Sequence, residues 1–91
     1  MNRDLNKAKE RLVCEGATCV LCMGAQVFIS KARGVRALLD LLASGEDWQS
    51  AVAADKVVGR AAAFLYVLLG VREVYAGVVS EAALQVFQSY H

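Results

Sequence analysis

Proline is absent from this 91-residue chain, and histidine occurs once, at the last position, His91. A chain without proline has no residue of fixed φ to break its helices, and abundant alanine adds to that helical tendency. With no internal histidine, a Ser-His or Cys-His nucleophilic pair within one chain is disfavoured. Aromatic residues make up only 8% of the sequence and do not alternate with basic ones, so a nucleic-acid partner is not expected. Charge of one sign is also missing. The formal net charge of +1 creates no field that would draw the chain to nucleic acid or anionic lipid. The longest apolar run, Ala61–Leu69, falls far short of the ~20 residues of a membrane span, so no membrane partner is expected. The first segment carries Arg3, Asp4, Lys7, Lys9, Glu10 and Arg11, unlike a signal peptide. Three cysteines cannot all pair within the chain, and a cytoplasmic, reducing setting is the simplest expectation.

What is present in excess is apolar surface. Apolar residues form 57% of the chain, glycine excluded, against about 45–50% with glycine included in ordinary domains. A chain of this length hides only about 60–65% of its unfolded surface. The surplus implies a subunit interface, so a homo-oligomer is expected.

Along the chain, residues 3–14 read as a helix with Asn2 as N-cap, a stripe of Leu5, Ala8 and Leu12, and Gly16 closing it. "ATCVLCM" (17–23) and "QVFIS" (26–30) read as a hairpin turning at Gly24 and Ala25. Apolar positions 35, 38, 39 and 42 give a second helix that stops at Ser44-Gly45. "EDWQSAV" reads as a polar connector holding the only tryptophan. A third helix is expected from about Ala54 to Leu69, then a strand over 73–79 and a last helix over 81–90 with Ser80 as N-cap. The expected architecture is therefore α/β, of order α-β-β-α-α-β-α, with three strands in a single domain over 1–91. Ligands of such sheets collect beyond the carboxyl ends of strands, where helices begin.

Two segments carry candidate chemistry. "SKARGVR" places Lys31, Arg33 and Arg36 close together without an acid, and puts Gly34 at a helix start. Ser30 adds a hydroxyl. Free backbone N–H groups and arginines make an anion site there, the alternative being a solvated loop. The spacing is not that of a P-loop. In "ADKVVGRAAA", Asp55, Gly59 and Ala63 fall four apart, so a helix would carry an acid and two small residues on one face. Asp55 then serves either the helix dipole or a pocket, and the dipole would lower its pKa, which weakens it as a general base. Lys56 and Arg60 would snorkel to solvent.

The cysteines Cys14, Cys19 and Cys22 read as buried packing residues. Cys19 and Cys22, three apart on a strand, point to opposite faces and make a poor metal pair. No metal and no cofactor are expected.

The segments "MNRDLNKAKERL", "TCVLC", "SKARGVRALLDLL", "ADKVVGRAAA" and "VVSEAAL" resemble the bacterial and archaeal family called domain of unknown function 1893, across essentially the whole chain. The resemblance implies a fold similar to cytidine deaminases and leaves the biochemical role unassigned. Laid on the zinc motifs of deaminases, Ala53 stands in the place of a zinc ligand, Asp55 near the catalytic glutamate, and Ser80 and Glu81 where cysteines belong. Zinc-dependent deamination is therefore not expected. The resemblance also implies a chain shorter than usual at its C-terminus, which leaves the last strand at an open edge that invites a second copy.

These readings converge on binding of a phosphate-bearing small molecule, such as a nucleotide, by Ser30, Lys31, Arg33, Gly34, Asp55, Lys56 and Gly59. The alternatives are an interaction module without a small ligand, and an enzyme using Asp55 as base or nucleophile.

Overall fold

The computed structural model describes residues 3–90, so the N-cap assigned to Asn2 and the terminal His91 lie outside the described residues. The element order is α1 (Arg3–Cys14), β1 (Cys19–Met23), β2 (Gln26–Ser30), α2 (Arg36–Ser44), β3 (Val52–Val58), α3 (Arg60–Leu69), β4 (Glu73–Val79) and α4 (Glu81–Tyr90). The four strands form one sheet in the order β2-β1-β3-β4. β1 is antiparallel to both β2 and β3, while β3 and β4 are parallel and joined by the crossover helix α3.

One expectation fails here. The described residues form four strands, not three, and the third helix begins at Arg60 rather than near Ala54. Residues 52–58 are a central strand hydrogen-bonded on both sides. Val52, Ala53, Ala54 and Val58 are fully buried, so the segment is apolar on both faces. A short, doubly buried run has no period that separates strand from helix, and the alanines pull a local reading toward helix. The chain leaves the strand through Gly59, whose φ of −96° and ψ of −176° make it the extended N-cap of α3. The polar connector is corrected with it: Trp48 is 3% exposed, and its ring meets Phe28 edge-on at 6.4 Å.

The remaining signals correspond to elements. Gly24 (φ +62°) makes the hairpin turn, Gly45 (φ +78°) ends α2, and Ser80 Oγ accepts a hydrogen bond from the Ala83 N–H at 3.0 Å.

The sheet divides the apolar residues between two layers. On one face α1 lays Ala8 and Leu12 against Val20, Cys22, Val52 and Ala54. On the other, α2, α3 and α4 cover Cys19, Leu21, Ala53 and Val58 with Leu38, Leu41, Ala62, Ala63, Leu65, Tyr66, Leu69, Ala83 and Val86. Cys19 and Cys22 thus face opposite layers, as the period of a strand requires. Cys14 is exposed rather than buried, because it sits about 200° around α1 from Leu12. No described helix is long and apolar enough to cross a membrane.

Gly77 of β4 lies close against the backbone of β3. A Cβ there would stand 2.8 Å from the Lys56 carbonyl oxygen, and that atom is backbone held in a ladder. Gly77→Ala should therefore lower stability by about 1–3 kcal/mol. Urea unfolding followed by the fluorescence of buried Trp48 measures this, and an unchanged midpoint would mean that the two strands separate freely at that point.

Candidate functional site

The register aligns Ser30, Cys19 and Asp55 across β2, β1 and β3, at the carboxyl end of β2 and in the middle of β3. Just beyond this row the chain enters α2 after residue 35 and α3 after residue 59. Row, connecting loop and helix starts enclose a cavity of about 510 Å³. Of the residues singled out from the sequence, Ser30, Arg33, Gly34, Asp55, Lys56 and Gly59 line it, and Lys31 does not. Lys31 is exposed on the loop outside the lining. Arg36 also lies outside, its guanidinium 3.4 Å from Asp40 one helical turn on.

The loop is held by its own polar groups. Ser30 Oγ accepts from the Ala32 N–H at 3.1 Å, and Thr18 Oγ1 lies 3.0 Å from the Ser30 carbonyl and 2.7 Å from that of Ala32. Gly34 has φ +76°, a conformation costly for a side chain bearing a Cβ. These ties set the start of α2 against the cavity. Neither α2 nor α3 has a side-chain cap, and neither carries an acid in its first turn. Their first N–H groups have no partner within the helix, so two partly positive helix ends meet one cavity. Arg33 and Arg60 stand on its wall.

Asp55 lies at the opposite electrostatic pole. It is on β3, not at a helix start, so neither the dipole argument nor its spacing with Gly59 and Ala63 on a helix face applies. The overlay of Ala53 and Asp55 on a deaminase helix start fails for the same reason. Asp55 is 8% exposed. Its Oδ2 accepts a hydrogen bond from Tyr66 Oη at 2.6 Å, and its Oδ1 accepts from the Val57 N–H at 3.1 Å. Tyr66 Oη lies 3.1 Å from Cys19 Sγ, which completes a buried chain from β1 through α3 to β3. Burial pushes the Asp55 carboxyl above the ordinary range, against the Tyr66, Val57 and Lys56 hydrogen bonds that favour its charged form. The same burial pushes the Cys19 thiol up to about 12 and raises the Tyr66 phenol. At neutral pH Cys19 is a protonated donor, not a nucleophile. When Asp55 is charged, the protons point from Cys19 to Tyr66 to the carboxylate. When it is neutral, the acid donates to Tyr66 and Tyr66 turns toward sulfur.

Thr18, Cys19, Arg60 and Tyr66 belong to this arrangement and carried no functional signal in the sequence. Tyr66 follows Asp55 by eleven residues, and only the β3-to-α3 reversal brings the two together. Among the described residues no group of three or more His, Cys, Asp or Glu side chains stands together as a metal ligand set.

Comparisons with known proteins agree on the family. A family model described as TM1506, domain of unknown function (DUF1893), matches residues 7–91. The crystal structure of a DUF1893 family protein (TM1506) from Thermotoga maritima is similar with a TM-score of 0.87 at 23% identity. That similarity covers 99% of this chain and 62% of the other, and at such identity it bears on the fold. No curated protein matches the chain.

The raised Asp55 pKa has a definite sign in stability. The folded state binds this proton more tightly than the unfolded state. The contribution is complete below the ordinary value of 3.8 and is lost as pH rises through the folded value. Asp55→Asn mimics the neutral acid: its amide donates to Tyr66 and its carbonyl accepts from Val57. Unfolding measured from acidic to neutral pH should show the wild type losing stability relative to D55N as pH rises. Tyr66→Phe removes a hydrogen bond to the carboxyl and should cost about 1–3 kcal/mol at neutral pH.

Proposed function

The chain belongs to the DUF1893 family, a domain of unknown function, and from that premise we propose that it binds a phosphate-bearing small molecule, such as a nucleotide, in the cavity between the Ser30–Gly34 loop and the starts of α2 and α3. The observation that carries this reading is the convergence of two uncapped helix starts with Arg33 and Arg60 on one concavity. Backbone N–H groups at helix starts and guanidinium groups both suit phosphate oxygens. The cavity volume falls within the roughly 300–1,000 Å³ typical of small-molecule sites. In this reading the Gly34 amide and Arg33 hold the phosphate and Gly59 leaves room beside it. Lys56 offsets charge, and Asp55 accepts hydrogen bonds from the remainder of the ligand. Lys31 has no part in it. The fold likeness to cytidine deaminases belongs to the same proposal and brings no zinc chemistry, since Ala53 is a core residue of β3.

A second reading rests on a different surface. Val13, Val57, Tyr75 and Val78 are exposed around a groove of about 560 Å³ beside β4, the outer strand of the sheet. An unpaired edge next to apolar side chains favours self-association. Sedimentation over a range of concentrations tests it. Val78→Lys should shift an oligomer toward monomer, and a wild type that stays monomeric throughout removes the reading.

Thermal-shift measurements with nucleoside mono-, di- and triphosphates test the first reading. Ligand at ten times Kd adds about 1.4 kcal/mol, several degrees in Tm for a domain of this size. Arg33→Ala and Arg60→Ala should each weaken binding about tenfold or more. No shift with any phosphate compound at millimolar concentration would remove the proposal.

A further inference from the structure

Asp55 is the only buried side chain of formal charge among the described residues. Its hydrogen-bonding partners, the Tyr66 hydroxyl and the backbone N–H groups of Val57 and Lys56, are all neutral. The ion pairs among the described residues are Arg11–Glu15, Arg36–Asp40 and Arg72–Glu73, so no lysine or arginine nitrogen lies within 4.0 Å of the Asp55 carboxyl. Lys56 is its chain neighbour and still makes no ion pair with it. A carboxylate offers about four acceptor positions, more than these donors use. Taking such a group out of water without a counter-charge is costly, and the fold supplies none. Asp55 lines the same cavity whose wall also carries Arg33, Arg60 and two helix starts.

One cavity therefore presents an anion-seeking wall and, separately, a buried carboxyl lacking its cation. Resting on the reading of the cavity as a phosphate site, we infer that its ligand is dipolar: beside the phosphate it carries a cationic nitrogen, an ammonium or amidinium group, that donates to the Asp55 carboxylate. The nitrogen supplies the counter-charge that the chain omits, and the phosphate takes the helix starts and guanidinium groups. The ligand class is an amino-substituted phosphate ester, not a plain one. Cation and carboxylate form a charge-assisted pair in a water-poor site, where it is stronger than at the surface.

The inference also fixes a direction with pH. The cationic ligand binds the charged form of Asp55, so its advantage over a neutral analogue grows as pH rises through the titration of that carboxyl. Cys19, Lys56, Arg33 and Arg60 line the same cavity and Tyr66 bonds to Asp55 and Cys19 from behind it, and the Asp55→Asn variant separates the contribution of Asp55 from theirs.

Isothermal titration of the full chain with aminopropyl phosphate, propyl phosphate and inorganic phosphate provides the test. The amino compound should bind about tenfold or more tightly than propyl phosphate at neutral pH, with the ratio shrinking toward acidic pH. D55N should lose the preference for the amino compound over propyl phosphate. The wild-type pH profile gives the same readout without any variant. Equal binding of the amino and plain esters, or a preference that persists in D55N, overturns the inference while leaving the cavity a phosphate site. Failure of all three compounds and of the nucleotides removes the phosphate reading, and this inference with it.

Discussion

The hydrogen bond from Tyr66 to Asp55, 2.6 Å long and buried, joins the middle of a central strand to the helix that follows it. Much of the surrounding geometry depends on it. Asp55 also accepts from the Val57 N–H, so the carboxyl fixes the local path of β3 just before Gly59 turns the chain into α3. Cys19 extends the connection to β1. Three elements are thereby pinned where the cavity opens. Polar contacts inside an apolar layer are costly when incomplete and directional when complete. This chain sets the angle between sheet and helix more sharply than alanines and leucines can.

Around that anchor, small residues create the space. Ala53 and Ala54 on β3, and Ala62 and Ala63 on α3, are all buried. Ala54 leaves room for α1 on one face of the sheet, while Ala53, Ala62 and Ala63 lie in the layer under α3 on the other. The cavity is the gap left between a close-packed crossover helix and a loop stiffened by Ser30, Thr18 and Gly34. Its polarity follows from topology. β2 and β3 deliver their carboxyl ends to the same side, and a helix begins after each, so unpartnered N–H groups gather there without any sequence signature.

The contrast between the two ends of chemistry in this cavity is the basis of its proposed role. Arginines and helix starts are unopposed on one wall, and a desolvated carboxyl without a cation forms another. Burial raises the Asp55 pKa, where placement at a helix start would have lowered it. The raised thiol of Cys19 leaves it as a donor within the chain.

Much of this was legible locally. The hairpin, α1, α2, β4 and α4 followed from amphipathic spacing, glycines at left-handed turns and the Ser80 cap, because each rests on interactions within a few residues. The loop of Ser30, Arg33 and Gly34, together with Asp55, Lys56 and Gly59, was identified by composition alone, and these residues do share one cavity. What local pattern misassigned was the nature of residues 52–58. A segment of alanines and valines around one acid suits a helix or a buried strand, and only hydrogen bonding to β1 and β4 decides between them. The partners of Asp55 were equally invisible, since Tyr66 and Cys19 reach it through a crossover and a register that exist only once the sheet has formed. Sequence by itself determined which residues are polar, small or turn-forming. Tertiary structure alone decided that the acid is buried, because burial depends on what the rest of the chain lays over it.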